Sequence, residues 1–302
     1  MIETICPICK KETQYRFIEE INNYKMFLCS KCGVIFADPM KYQGCTDPNI
    51  IFNYTLRPYL KHSLNWEQKE FFKDFCPGNG KSLLDLGCGD GFFLKEAEKR
   101  GFKIYGIDSD YGGTERAKNE FKLENVHCDT IENFLNHTNQ EWDYITLFHV
   151  IEHLEDPITV LNMVKNKLKK DGIICVTIPN RERFVKNAWK EVDSPPHHFT
   201  RYDVKSIFIV LSLTGFVIYK TKIGRIYFGD LTLSKIRARL MKKTMEKLTV
   251  AFKTKKRKYI FLVKCLCYIG MFIAQFINTV FDPLLHLGGV KGSSIYIVGI
   301  NK

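Results

Sequence analysis

The sequence predicts an α/β fold: a seven-stranded sheet with helices on both faces, a small cysteine-rich ribbon ahead of it, and a helical insertion before the last strand. Three observations predict it. Two Cys-x-x-Cys knuckles open the chain, short apolar runs alternate with helical periods from residue 81 onward, and residues 231–290 separate the sixth apolar run from the seventh.

Composition bounds the rest. With 302 residues, 45% hydrophobic and 26% charged, the chain has material for one large core plus a satellite module, so disorder is not the expectation. The opening stretch Met1-Ile-Glu-Thr-Ile-Cys-Pro carries neither a basic region nor an apolar run, no signal peptide is readable, and the cytosol is the expected compartment. Eleven cysteines there argue for metal binding and buried thiols over disulfides.

The first module is residues 1–37. Cys6-Pro-Ile-Cys9 and Cys29-Ser-Lys-Cys32 have the spacing of a zinc ribbon, in which each knuckle aims two thiolates at one tetrahedral ion; Cys6, Cys9, Cys29 and Cys32 are the expected ligands of a structural zinc. A redox role is weaker, because neither pair stands in a strand-to-helix setting. Residues 38–80, with Pro39, Pro48, Pro58 and Pro77, read as a connector holding a helix around Leu64–Phe75. The main domain is expected over 81–230, completed by 291–302. Its strands are Ser82–Leu86, Lys103–Ile107, Val126–Cys128, Tyr144–Phe148, Ile173–Ile178, Phe216–Thr221 and Ser294–Ile300. Its helices are Gly91–Arg100, Thr114–Phe121, Pro157–Leu168 and Asp203–Thr214.

The chemistry centres on Leu83-Leu-Asp85-Leu-Gly87-Cys-Gly89-Asp-Gly91: a buried strand, an acid, three alternate glycines and an amphipathic helix. Glycines there let the backbone bend sharply and approach a ligand with no Cβ in the way. The nicotinamide fingerprint needs its third glycine one residue later, where Phe92 stands, so a dehydrogenase is disfavoured. Asp108 ends the next strand, where a carboxylate can accept both hydroxyls of a ribose.

With these residues the chain resembles the class I S-adenosylmethionine-dependent methyltransferases, which have a seven-stranded Rossmann-like sheet, and more closely the subgroup of ubiquinone-pathway O-methyltransferases and bacterial enzymes of surface-glycan and lipid clusters. The resemblance covers roughly one α/β domain, and rests also on Phe148-His149-Val-Ile-Glu152-His153-Leu-Glu-Asp156-Pro157, Gly172-Ile-Ile-Cys-Val-Thr-Ile-Pro179-Asn180 and Ser194-Pro-Pro-His197-His198-Phe199. It implies that Asp85, Gly87 and Gly89 border the methionine moiety of S-adenosylmethionine, Asp108 the ribose, Asp129 and Thr130 the adenine edge, and Phe148 and His149 the pocket floor. In ubiquinone-type relatives the position of His149 is usually acidic and its cluster can bind a divalent cation; histidine there departs from the pattern.

His149-Val-Ile-Glu152-His153 also matches the bare H-x-x-E-H pattern of a zinc protease, but the protease motif lies within a helix, whereas here it follows a strand and precedes the helix start Asp156-Pro157. Methyl transfer to a hydroxyl needs alignment and loss of a proton, and a histidine suits the latter, so His149, His153 and His198 are the candidate general bases.

The formal charge of +12 is concentrated. Lys235–Lys258 holds eleven Lys or Arg against the single acid Glu246, with Ile236, Leu240, Leu248 and Phe252 on one helical face. Tyr259–Phe281 follows as an apolar run with a thin polar stripe of Lys264, Gln275 and Asn278. The expectation is a monotopic anchor at the cytoplasmic membrane face, its basic helix on anionic head groups; a lid or dimer helix is the alternative. The expected acceptor is therefore small or lipid-linked. RNA is a rival acceptor, since zinc ribbons and basic patches also occur together in nucleic-acid enzymes; a non-catalytic cofactor-binding scaffold is the rival of another class.

Overall fold

A computed structural model of the protein describes residues 2–42, 62–183, 193–224 and 291–302. The expected insertion 231–290, with its basic and apolar helices, lies outside them. The chain divides into two compact units, Met1–Arg181 with Glu191–Gly224 and Ser294–Lys302, and Glu182–Lys190 with Arg225–Ser293; almost all of the second is outside the described residues. Among the described residues, no helix is long and apolar enough to cross a membrane.

In the first unit, β1 (Ile2–Ile5), β2 (Glu12–Ile21), β3 (Tyr24–Cys29) and β4 (Ile35–Asp38) form an antiparallel sheet. The connector helix α1 (Trp66–Phe75) begins at a capping box in which Asn65 and Gln68 exchange side chain-to-backbone hydrogen bonds. Then come β5 (Ser82–Leu86), α2 (Phe92–Glu98), β6 (Lys103–Asp108), α3 (Tyr111–Phe121), β7 (Val126–Cys128), α4 (Ile131–His137), β8 (Trp142–Phe148), α5 (Pro157–Lys167) and β9 (Leu168–Pro179). A two-residue strand β10 (Thr200–Arg201), α6 (Val204–Leu213), β11 (Phe216–Ile223) and β12 (Ser294–Asn301) complete it.

The large sheet has the order β11-β12-β9-β8-β5-β6-β7, with β12 antiparallel to both neighbours and the other contacts from β9 to β7 parallel. This is the expected seven-stranded Rossmann-like methyltransferase sheet. Both faces are buried, as crossover helices require. Leu84, Leu86, Ile145, Leu147, Ile174 and Val176 enter one apolar layer, while Leu83, Tyr144, Cys175 and Tyr296 enter the other with Phe71 of α1 and Phe93 of α2.

The ribbon is fused to this domain. β10 adds to β4 antiparallel, Phe36 opposite Thr200, and the ribbon's Ile8, Val34 and Phe36 share a core with Ile207 and Val210 of α6. Arg181, past the end of β9, donates to the carbonyl of Gly33 and to Asp203.

Candidate active site

The strand order reverses at β5: the chain runs from it to β6 and β7 on one side, then returns to β8 on the other. Open α/β sheets bind ligands outside the carboxyl ends of the strands at such a point. Asp85, Gly87, Gly89, Asp108, Asp129, Thr130, Phe148 and His149 all stand at or just beyond the carboxyl ends of β5, β6, β7 and β8.

The glycine loop is held against β6. The N–H groups of Gly87 and Cys88 donate to Ile107 O at 2.7 and 3.0 Å. Gly87, Gly89 and Gly91 have φ of 81°, 57° and 76°, a region that L side chains rarely occupy. At Gly87 a Cβ would also stand 2.5 Å from Val150 Cγ2. Asp108 binds the loop: its Oδ2 accepts from Gly89 N–H at 2.7 Å and its Oδ1 from Asp110 N–H at 2.8 Å. Asp85 is buried and accepts from Thr146 Oγ1 at 2.6 Å. Burial raises its carboxyl to about 7; the Thr146 hydrogen bond opposes the rise and the nearby Asp108 charge adds to it. Two carboxyl groups facing one bent, Cβ-free backbone suit a ligand that carries both a cation and a ribose.

At the end of β7, Asp129 N–H donates to Asp108 O at 3.1 Å, which sets the two carboxylate-bearing strand ends side by side. Asp129 accepts from Asn133 Nδ2, and Thr130 caps α4 through Asn133 N–H. Phe148 ends β8 with its ring edge-on to Phe93, centroids 4.8 Å apart.

His149 follows at φ 57°, an uncommon conformation for a non-glycine residue. Its Nε2 lies 3.3 Å from Glu67 Oε1 and its Nδ1 3.3 Å from Glu152 Oε1, while 36% of the side chain remains exposed. Burial pulls the imidazole down, but Glu152 and Glu67 together raise it to about 10. Glu67 is correspondingly lowered: burial works against its ionisation, and the hydrogen bond and charge of His149 outweigh it. Glu67 also accepts from Ser294 Oγ at 2.6 Å. The two glutamates thus favour the charged form of the ring and engage both of its nitrogens.

His153 and His198 are brought together, and His197 joins them. One ligand atom from each lies within 4.8 Å of the others. His153 Nδ1 is 2.6 Å from His197 O, and His198 Nδ1 is 3.6 Å from Asp193 Oδ1.

The four knuckle cysteines also converge, all buried. Cys6 and Cys32 Sγ are 3.9 Å apart, as are Cys9 and Cys29 Sγ; thiolates around tetrahedral zinc, at about 2.3 Å from the ion, stand roughly 3.8 Å apart. Backbone N–H groups of Ile8, Cys9 and Cys32 point at Cys6 or Cys29 Sγ, as knuckle turns arrange.

Sequence reasoning missed Glu67, Ser294 and the grouping of His197 with the other two rings. Glu67 lies in the connector helix, 82 residues from the histidine it pairs with, and no local pattern announces such a partner.

A family profile described as "Methyltransferase domain" matches residues 59–221. The chain is similar to the ubiquinone biosynthesis O-methyltransferase of Haemophilus ducreyi, 34% identical over 111 residues, covering 34% of this chain and 47% of that protein. It is similar also to that of Pasteurella multocida, 31% identical over 134 residues, covering 40% and 55%. The chain therefore spans about half the length of these curated relatives. Among solved structures it is similar to a SAM-dependent methyltransferase from Archaeoglobus fulgidus, with a TM-score of 0.52, 18% identity, and 84% of this chain and 100% of that one covered. A phosphoethanolamine N-methyltransferase 2 from Haemonchus contortus in complex with S-adenosyl-L-methionine gives 0.52 and 17%, covering 87% and 59%. At these identities the likeness is one of fold.

Proposed function

This chain belongs to the methyltransferase-domain family, class I and S-adenosylmethionine-dependent, and we propose on that premise that it methylates a hydroxyl of a small or lipid-linked acceptor, a glycan or quinone-like head group, at the cytoplasmic membrane face. The observation that carries the reading is the pinned glycine loop, with Asp108 accepting from Gly89 N–H and Asp85 behind it. Two relatives are ubiquinone biosynthesis O-methyltransferases, which supports an oxygen acceptor of that kind.

S-adenosylmethionine, when bound, supplies an electrophilic methyl on a sulfonium. Asp85, Gly87 and Gly89 would border its methionine part, Asp108 its ribose, Asp129 and Thr130 its adenine edge, and Phe148 and His149 would floor the pocket. In-line displacement asks the protein mainly to align two groups in a water-poor crevice. His149, with both ring nitrogens held by Glu67 and Glu152, would shape the pocket floor and is not placed to take the proton. Loss of the acceptor's proton falls to His153 and His198, the remaining candidate bases. The four cysteines would hold a structural zinc with no open ligand position.

Methyl-labelled cofactor incubated with the protein and with fractionated lipid, glycan and RNA pools tests this. Label in lipid or glycan is expected; label in RNA alone moves the assignment to the rival acceptor. Alanine at His153 or His198 should slow transfer at least about tenfold with cofactor binding kept, and unchanged turnover in both rejects their role. Membrane association is tested by cell fractionation, where a wholly soluble protein at low salt counts against it.

A further inference from the structure

We infer that His153, His197 and His198 form a binding site for a divalent transition-metal cation, separate from the four-cysteine site and independent of which acceptor is methylated. Three imidazoles approach one another here, with ring centroids 4.5, 4.5 and 4.8 Å apart. Imidazole nitrogens are common metal ligands, so the convergence of three rings suits a cation standing among them. Ligand atoms within 4.8 Å of one another need inward shifts of less than about 1 Å to take up His–metal bonds of about 2.0–2.1 Å.

The rings are held from behind, as metal-binding histidines are. A hydrogen bond from His153 Nδ1–H to His197 O, at 2.6 Å, fixes the proton of that ring on Nδ1 and makes Nε2 its candidate ligand atom. Asp193 stands beside His198 Nδ1 at 3.6 Å. The loop that carries His197 and His198 is fastened on several sides. Both their N–H groups donate to Ser194 O, Phe199 N–H donates to Glu152 O at 2.8 Å, and Arg201 donates to Asp193 O and Ser194 Oγ. Asn22, in the β2–β3 turn, donates to Pro195 O at 2.7 Å, so the ribbon itself braces the site.

Chemistry sets the class of ion. An all-imidazole set suits zinc, cobalt, nickel, copper or iron over magnesium or calcium, and three protein ligands leave a position open for an exogenous one. His153 and His197 are half-buried and His198 is buried, so the ion would be reachable from one side. His149 and Glu152, which precede His153, lie against each other at 3.3 Å and are not counted as ligands.

Protein with its cysteine site zinc-loaded is titrated with nickel(II) and, separately, with magnesium(II) by calorimetry, and metal content is measured after dialysis. The wild type should bind one further equivalent of nickel and retain it. His197→Ala and His198→Gln should each weaken that equivalent at least about tenfold, while the zinc stoichiometry, melting temperature and S-adenosylmethionine affinity stay as they were. His137→Ala, at an exposed ring, should bind as the wild type does. No second equivalent in the wild type, its survival in both loop variants, its loss in His137→Ala, or a preference for magnesium would each overturn the site. Because cofactor binding is read in the same samples, failure of the metal site and failure of the methyl-transfer reading are told apart.

Discussion

At the scale of single residues, the site is organised by charge placed where water is scarce. Asp85, neutral below about 7 because it is buried, becomes an anion above that pH. A cationic ligand beside it favours the ionised form, so linkage makes affinity rise with pH. S-adenosylmethionine should bind more tightly as pH climbs through about 7, by calorimetry, and Asp85→Asn should remove the step. His149 works with the opposite sign. Its folded value of about 10 exceeds the reference 6.5, so the stability it contributes is complete below 6.5 and is lost as pH rises towards 10. Glu67→Gln should cost about 2 kcal/mol near neutrality, less than a fully buried pair because His149 is partly exposed, and should flatten that decline in urea unfolding. The acids of the glycine loop and of β6 were legible in the sequence because each closes a short apolar run. The clamp on His149 was not, since it joins a connector helix, a strand end and the first residue of β12.

At the scale of elements, the expected seven strands and the helices flanking them are all present, because both-face burial writes long apolar runs into the sequence. What escaped was short or polar. α4 spans seven residues and buries only Leu135, too little for a helical period to show. β9 begins five residues early through Leu168-Lys-Lys-Asp-Gly, whose polarity masks a strand. β10 is two residues long and owes its existence to its partner β4. Element geometry also yields predictions. Gly87→Ala places a side chain at φ 81° and against Val150; it should lower stability by about 2 kcal/mol and cofactor affinity more than tenfold, roughly, by melting and calorimetry. The cysteine knuckles predict one zinc per chain in the ribbon, and its chelation should lower the melting temperature by several degrees or more, roughly, because the ribbon shares its core with α6.

At the scale of the whole molecule, the sheet, the ribbon and residues 193–203 ahead of α6 belong to one compact unit, and the cysteine site shares a core with the sheet and α6. The fold class was legible because the order of glycine loop, acid-ended second strand and alternating strands and helices admits few topologies, whereas the antiparallel setting of β12 appears only in the structure. The insertion stood out by its length and charge, and its relation to a membrane is a matter for fractionation. The account depends on the crevice at the reversal point accepting S-adenosylmethionine. The most direct measurement is a calorimetric titration of the wild type and of Asp108→Ala with S-adenosylmethionine, with circular dichroism confirming that both are folded. The account predicts one equivalent bound by the wild type and a loss of at least about tenfold in the folded variant; no binding by the wild type, or equal affinity in the two, would contradict it.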